Sequence, residues 1–327
     1  MRIAILDDYQ QAALKSADWT RLPQGAEVSV FPDHVSDRDS LIRRLESFDV
    51  IVAMRERTPF PAAVIDRLPR LKLIVTTGPH NAAIDVTAAT RRGVTVCGTD
   101  PGGAHHATAE LTWGLILALA RNVVREHQAV QAGRWQIGLG KSLKGSVLGI
   151  LGLGHLGAQV AAYGRAFGME VIAWSQNLTS AAAEKRGARY VDREALFRSA
   201  DFVTVHLKLS ARTRGLIGAR EFALMKPDAY LVNTSRGPIV DESALVEALR
   251  SRRIAGAGID TFDKEPLPGT HPLLTLDNAI LTPHIGYVIE PTYRAWYAEA
   301  IEDICAFAEG NPIRVIDKPA DYDSGIR

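Results

Sequence analysis

Residues 143–177, LKGSVLGILGLGHLGAQVAAYGRAFGMEVIAWSQN, restrict the fold more than any other stretch of the chain. Val147 to Leu151 is an apolar run of strand length, and it breaks into Gly152-Leu-Gly154-His-Leu-Gly157. Leu156, Val160, Tyr163 and Phe167 then recur at helical spacing, and a second apolar run, Val171 to Trp174, follows Gly168. Strand, glycine turn, helix and strand within about 30 residues predict a βαβ unit of a parallel sheet. In that setting G-x-G-x-x-G reads as a dinucleotide-binding turn. Gly152 permits the tight turn, Gly154 lets backbone approach a pyrophosphate, and Gly157 lets helix and strand pack closely. The helix N-terminus adds unpaired N–H groups and partial positive charge for the phosphates.

The rest of the chain extends the same pattern. Ile3–Leu6, Val28–Phe31, Val50–Ala53, Leu73–Thr76 and Val94–Cys97 are strand-like runs separated by short helical segments. This alternation predicts a first α/β domain with a parallel sheet and no G-x-G-x-x-G of its own. Asp100-Pro-Gly-Gly is turn chemistry at a domain boundary. A single long helix is expected from Ala107 towards His127, with an apolar surface wide enough for a subunit interface. After the fingerprint, strands are expected at Tyr190-Val191, Phe202–Leu207, Tyr230–Asn233, Ala255–Asp260 and Ala279–Thr282. Helical segments are expected at Glu194–Arg198, Thr213–Ile217, Glu221–Met225 and Glu242–Arg250, and a final amphipathic helix over Tyr293–Glu309. The expected architecture is doubly wound α/β, twice.

Composition excludes several partner classes. With 327 residues and a net charge of +1, the chain has room for two cores and no basic block for a nucleic acid. The apolar stretch around Leu115–Ala120 stops at Arg121, too short to span a bilayer, and the N-terminus reads as a first strand, not a signal peptide. Its 2 cysteines, Cys97 and Cys305, offer neither a disulfide framework nor metal-ligand spacing, so a cytoplasmic protein is expected. The adjacent His105-His106 pair is read as structural, and no metal site is expected.

Open α/β sheets bind ligands beyond the carboxyl ends of their strands. In the second half of the chain those ends carry Ser175, His206, Asn233-Thr-Ser-Arg236, Asp260 and Pro283-His284. These polar groups are expected to face one crevice.

Three of these segments, Asn233-Thr-Ser-Arg-Gly-Pro-Ile-Val-Asp-Glu, Gly258-Ile-Asp-Thr-Phe-Asp-Lys-Glu-Pro-Leu and Leu281-Thr-Pro-His-Ile-Gly, together resemble the D-isomer-specific 2-hydroxyacid dehydrogenase family. The resemblance covers nearly the whole chain. It implies a Rossmann cofactor domain, 100–289, inserted in a flavodoxin-like substrate domain, 1–99 plus 290–327, and a homodimer through the long helix. It also implies hydride transfer between a nicotinamide cofactor and a D-2-hydroxy acid or 2-oxo acid, with Arg236, Glu265 and His284 as the catalytic trio. In that chemistry His284 moves the proton, Glu265 orients its ring and raises the pKa of the imidazolium, and Arg236 pairs with the substrate carboxylate and polarises the carbonyl. The cofactor is implied on Gly152, Gly154, His155, Leu156, Gly157, Ser175, His206, Thr234, Asp260 and Gly286.

Three departures from the family pattern bear on cofactor and substrate. The second strand of the fingerprint ends in Ser175-Gln-Asn, without the acid that binds a ribose 2′-OH, and no Arg or Lys follows until Lys185. An uncompensated phosphate is the costlier mismatch, so NAD(H) is narrowly favoured over NADP(H). Where relatives carry a Gly-Val-Gly-like loop whose N–H groups grip the substrate carboxylate, this chain reads Thr77-Gly78-Pro79-His80-Asn81, and proline has no N–H. Gly78, His80, with Asn81 assisting, and Arg55 from the Arg55-Glu-Arg57 cluster are the substrate candidates there. Tyr287, after His284-Ile-Gly286, stands where a small residue is usual in the family, and is expected either to narrow the pocket beside the histidine or to pack between the domains. Two alternatives share the fold: a formate- or phosphite-type dehydrogenase, against which Glu265 speaks because formate enzymes pair the histidine with glutamine, and an NAD(H)-sensing corepressor-like binding protein, against which the short tail after Asn311 speaks.

Overall fold

The computed structural model describes residues 1–102 and 104–318; Gly103 of the predicted boundary turn, the side chains of Ala104 and His105 and residues 319–327 lie outside the described residues. Two units divide the chain: Met1–Ala104 with the residues from Val288 onward, and His105–Tyr287.

The first unit is built on five strands, β1 (Arg2–Ile5), β2 (Glu27–Val30), β3 (Val50–Ala53), β4 (Leu73–Thr76) and β5 (Thr95–Gly98), in the order β2-β1-β3-β4-β5. All four ladders are parallel. This is the flavodoxin-like order. β3 and β4 are buried on both faces, as their unbroken Val/Ile/Leu runs demand of central parallel strands. Helix Glu290–Ala308 belongs to this unit and buries Trp296, Tyr297, Ile301 and Ile304.

The second unit holds seven strands: β6 (Val147–Leu151), β7 (Glu170–Trp174), β8 (Arg189–Tyr190), β9 (Phe202–Val205), β10 (Tyr230–Asn233), β11 (Gly256–Ile259) and β12 (Ala279–Leu281). Their order is β12-β11-β10-β9-β6-β7-β8, the Rossmann arrangement with β12 added at one edge. The order reverses between β6 and β9, where Leu151 pairs with Val205. A crevice at the carboxyl ends of these two strands is where such sheets place ligands.

Two helix expectations change. The long helix ends at Ala120, and a second helix runs Val123–Gln131. Between them Asn122 takes a left-handed φ of 53° and its side-chain amide donates to the Leu139 carbonyl; asparagine tolerates that conformation and the turn breaks the helix. Residues 213–217 are not helical. The Thr213 hydroxyl bonds to the Lys208 carbonyl, Gly215 has a positive φ of 64°, and Ile217 pairs with Val240 instead.

Candidate active site

Strand order assembles the site. Arg236 follows β10, Glu265 follows β11 and His284 follows β12, so three adjacent strands deliver them from one edge of the sheet. Nδ1 of His284 lies 2.6 Å from Oε2 of Glu265, and Oε1 of Glu265 accepts the Phe262 N–H at 2.9 Å. Burial pushes the Glu265 carboxyl up, but the hydrogen bond and charge of His284, the Phe262 N–H and the charge of Arg236 outweigh it and hold it below the usual range. A carboxylate on Nδ1 makes that nitrogen the donor and leaves Nε2 for proton exchange. Tyr287 packs edge-on against the His284 ring, centroids 5.6 Å apart.

Each of these side chains is set by its loop. The Asn233 side chain donates to the Arg236 carbonyl at 3.0 Å and accepts the Ser235 N–H at 3.0 Å, shaping the turn on which Arg236 stands. One Arg236 guanidinium nitrogen donates to the Ser235 carbonyl. His284 has a left-handed φ of 53°, a costly conformation for a residue with a Cβ. Asp260, fully buried at the end of β11, holds it: Oδ1 accepts the Thr282 hydroxyl at 2.6 Å and the Ile285 N–H at 2.8 Å, and Oδ2 accepts the Gly286 N–H at 3.0 Å. Burial raises the Asp260 carboxyl above its ordinary range despite these donors.

This corrects part of the expectation that the strand-end groups all face a crevice. Asn233 and Asp260 are spent inside the protein, and so is the Gly286 backbone, whose carbonyl accepts the Thr108 hydroxyl. The Thr234 hydroxyl lies 2.8 Å from that of Thr112 and is buried with it.

The fingerprint glycines separate into three geometries. Gly152 has φ 97°, and a Cβ there would lie 2.6 Å from the His206 carbonyl oxygen. A Cβ at Gly157 would lie 2.1 Å from the Gly152 oxygen, so helix His155–Ala166 approaches β6 only without one. At Gly154 a Cβ would meet nothing within 4 Å, leaving open space in front of the helix N-terminus. A tight turn, a close helix and an open approach are what a pyrophosphate on this turn requires. His155 is exposed and pairs with Gln159, and Leu156 is half-buried. Ser175, at the end of β7, is half-buried. The His206 ring is pushed down to about 3 by burial and is therefore neutral; its Nε2 is buried without a hydrogen-bond partner among the described residues. One cation that no local motif marks also reaches this turn: Arg186 donates to the Leu153 carbonyl, inside the glycine turn.

In the first unit, the substrate candidates sit at the carboxyl ends of β3 and β4. The Gly78 N–H already donates to the Thr99 hydroxyl at 2.7 Å, and Asn81 is consumed by the Arg55 carbonyl, Thr76 and Ala83. Both amide hydrogens of Asn81 are therefore spent on the loop, and it offers no donor to an acid group. Arg55, with φ 49°, donates to the Thr77 carbonyl and lies where a Gly78 Cβ would be, 1.6 Å from its Nη1. His80 is exposed. Among the described residues no group of three or more His, Cys, Asp or Glu is placed to hold a metal, and no helix is long and apolar enough to cross a membrane.

A sequence profile described as D-isomer specific 2-hydroxyacid dehydrogenase, NAD binding domain, matches residues 113–286. The chain is 42% identical over 256 residues to the glyoxylate reductase of Aeropyrum pernix, covering 76% of each chain. It is 36% identical over 291 residues to the glyoxylate reductase of Thermococcus litoralis, covering 86% of this chain and 87% of that one. Of solved structures, the phosphoglycerate oxidoreductase of Vibrio cholerae superposes with a TM-score of 0.88 at 39% identity, covering 95% of this chain and 99% of that one.

Proposed function

The chain belongs to the D-isomer-specific 2-hydroxyacid dehydrogenase family, and on that premise we propose roles for its residues in interconverting a D-2-hydroxy acid and its 2-oxo acid. The observation that carries the reading is the 2.6 Å contact between His284 Nδ1 and Glu265 Oε2, made where Arg236 also acts on the same carboxylate. A nicotinamide cofactor, when bound, supplies or accepts the hydride. In the reducing direction His284 gives its Nε2 proton to the carbonyl oxygen and recovers it in reverse. Glu265 stabilises the imidazolium and fixes the tautomer. Arg236 pairs with the substrate carboxylate through its planar fork and draws charge from the carbonyl. Arg55, Gly78 and His80 are a separate set of candidates for the substrate's acid group, with Arg55 compensating for the amides that Pro79 and Thr99 remove. Tyr287 beside the His284 ring favours short substrates. The names of relatives, glyoxylate reductase and hydroxypyruvate reductase, support the same size class.

Gly152, Gly154, His155, Leu156 and Gly157 hold the pyrophosphate in this reading, with Ser175 at the adenosine ribose. His206, Thr234, Asp260 and Gly286 lie towards the nicotinamide, the last two by shaping its wall. NAD(H) is narrowly preferred, since Ser175 brings no charge and Arg186 is engaged with Leu153. A homodimer in the cytoplasm completes the proposal. It is supported by the exposed apolar side chains Val123, Val130, Trp135 and Leu139 after the first long helix, and by the two free cysteines.

The test is a reduction assay with NADH and NADPH against glyoxylate, hydroxypyruvate, pyruvate, phenylpyruvate and 3-phosphohydroxypyruvate. Turnover is expected with glyoxylate or hydroxypyruvate and a lower KM for NADH. Silence with every acid, while NADH still binds, would leave the corepressor-like alternative standing. Preference for NADPH that collapses in Arg186→Ala would reverse the cofactor choice. Light scattering at the mass of a single chain would refute the dimer.

A further inference from the structure

Glu265 stands on residues 261–271, a segment after β11 with no helix or strand, which ends at the 3-10 turn Pro272–Thr275. A carboxylate on an irregular loop needs other anchors if it is to stay 2.6 Å from His284. Two are present. The first is Gly237, immediately after Arg236. A Cβ there would lie 2.1 Å from the Phe262 carbonyl carbon and 2.6 Å from the Asp263 nitrogen. The turn bearing Arg236 and the loop bearing Glu265 are thus in direct backbone contact.

The second anchor is a carboxylate–imidazole pair outside the proposed trio. Glu242, the first residue of helix Glu242–Arg250, accepts the Asp263 N–H on Oε2 at 3.3 Å. Its Oε1 lies 2.8 Å from Nε2 of His271. Nδ1 of His271 accepts the Leu273 N–H at 3.3 Å, so the ring proton is on Nε2 and Nε2 donates to Glu242. Both side chains are largely buried, 24% exposed for Glu242 and 13% for His271. One carboxylate therefore ties together positions 263 and 271, the two flanks of the arc that carries Glu265. Beside the pair, burial and then the charge of Glu242 push the Asp263 carboxyl up.

We propose that Glu242 and His271 form a positioning pair that clamps the 263–271 arc and thereby sets Glu265 against His284. Neither belongs to the residues proposed above to touch substrate or cofactor. The consequence for turnover rests on the function proposed above, but the clamp itself does not. A misplacement of about 1 Å at a reacting group can cost about a hundredfold in rate; a loosened arc is a partial form of that displacement.

The full chain, labelled with ¹⁵N-histidine, provides the test. The Nδ1 proton of His284, in contact with Glu265, is assigned by its loss in His284→Ala, and its exchange with water is measured together with the NADH Kd and kcat. In His271→Leu and Glu242→Gln that proton is expected to exchange at least about tenfold faster, with kcat lower by about tenfold to a hundredfold and the NADH Kd within about twofold. Glutamine at 242 offers one acceptor to two donors, so it fails too. His271→Gln keeps an N–H that can reach Glu242, and is expected to retain the protection. Unchanged exchange in both His271→Leu and Glu242→Gln overturns the proposal. So does a His271→Gln protein as unprotected as His271→Leu, or a loss of NADH affinity that parallels the loss of protection. If His271→Leu and Glu242→Gln lose the protected proton but wild type reduces no 2-oxo acid, the functional reading fails and the clamp stands; wild-type turnover on a 2-oxo acid with an unaltered proton in both variants gives the reverse.

Discussion

Nδ1 of His284 and Oε2 of Glu265 are 2.6 Å apart, in a loop geometry that costs His284 a left-handed backbone, φ 53°. The strained His284 backbone is held by the buried Asp260 carboxylate and its ring by Glu265, so its orientation is set before any ligand arrives.

Removing the imidazole should therefore separate chemistry from binding. His284→Ala is expected to lower kcat by about 10²–10⁴-fold while leaving the NADH Kd within about threefold, read by steady-state kinetics and fluorescence titration. Glu265 adds a pH signature. Its carboxyl is held below the ordinary value in the folded protein, so its ionisation favours folding above the ordinary glutamate range. That contribution vanishes as pH falls through the lowered folded value. The melting difference between wild type and Glu265→Gln should be present at about pH 7 and close on acidification below about pH 4.

Asp260 accepts three direct hydrogen bonds from residues 282–286. In Asp260→Asn an amide N–H must face one of those donors, and the strained turn loses its anchor. A loss of about 1–3 kcal/mol in stability is expected from the unsatisfied group, together with a fall in kcat comparable to that of His284→Ala. Denaturant unfolding and kinetics on the same sample check both. Wild-type kcat in a folded Asp260→Asn protein would show that the turn is held by other means.

Gly154 and Gly157 differ by three positions and by what surrounds them. Gly154→Ala enters open space and should leave the melting temperature nearly unchanged while weakening NADH binding. Gly157→Ala drives a methyl to 2.1 Å from the Gly152 oxygen and should cost about 1–3 kcal/mol by overpacking as well as binding. Calorimetry with and without NADH distinguishes the two.

In the first unit, Arg314 reaches Asp303 at 2.9 Å and Glu302 at 3.0 Å, while its neighbour Ile316 hydrogen-bonds to the Val96 carbonyl beside β5. Asp303 is fully buried, and burial pushes its carboxyl up to about 7, overcoming the pull of Arg314. A folded value above the unfolded one means that the native state binds the extra proton, so stability is greatest at low pH within this window. It falls as pH rises from about 4 through 7, by up to a few kcal/mol. Asp303→Asn should flatten that dependence in melting curves between about pH 5 and 8.

The chain by itself determined the strands, the glycine turn and the three motifs that name the family. Each is local: an unbroken apolar run of strand length between turns reads as a strand of a parallel sheet, and glycines at G-x-G-x-x-G spacing directly after such a run and before a helical period read as a phosphate-binding turn. Arg236, Glu265 and His284 were nameable for the same reason, since each lies inside its own short motif. Their meeting was decided by the tertiary structure, because only the order β12-β11-β10 sets those three loops side by side. The same holds for what was not legible. Nothing local distinguishes Asp260 as the support of His284, Asn233 as that of Arg236, or Arg186 as the cation on the fingerprint turn. Asn122 ends a helix that periodicity alone would continue, because its amide finds the Leu139 carbonyl 17 residues on. Such roles depend on which donor lies across from which acceptor, and long-range pairing is information that a residue's own neighbours in sequence do not carry.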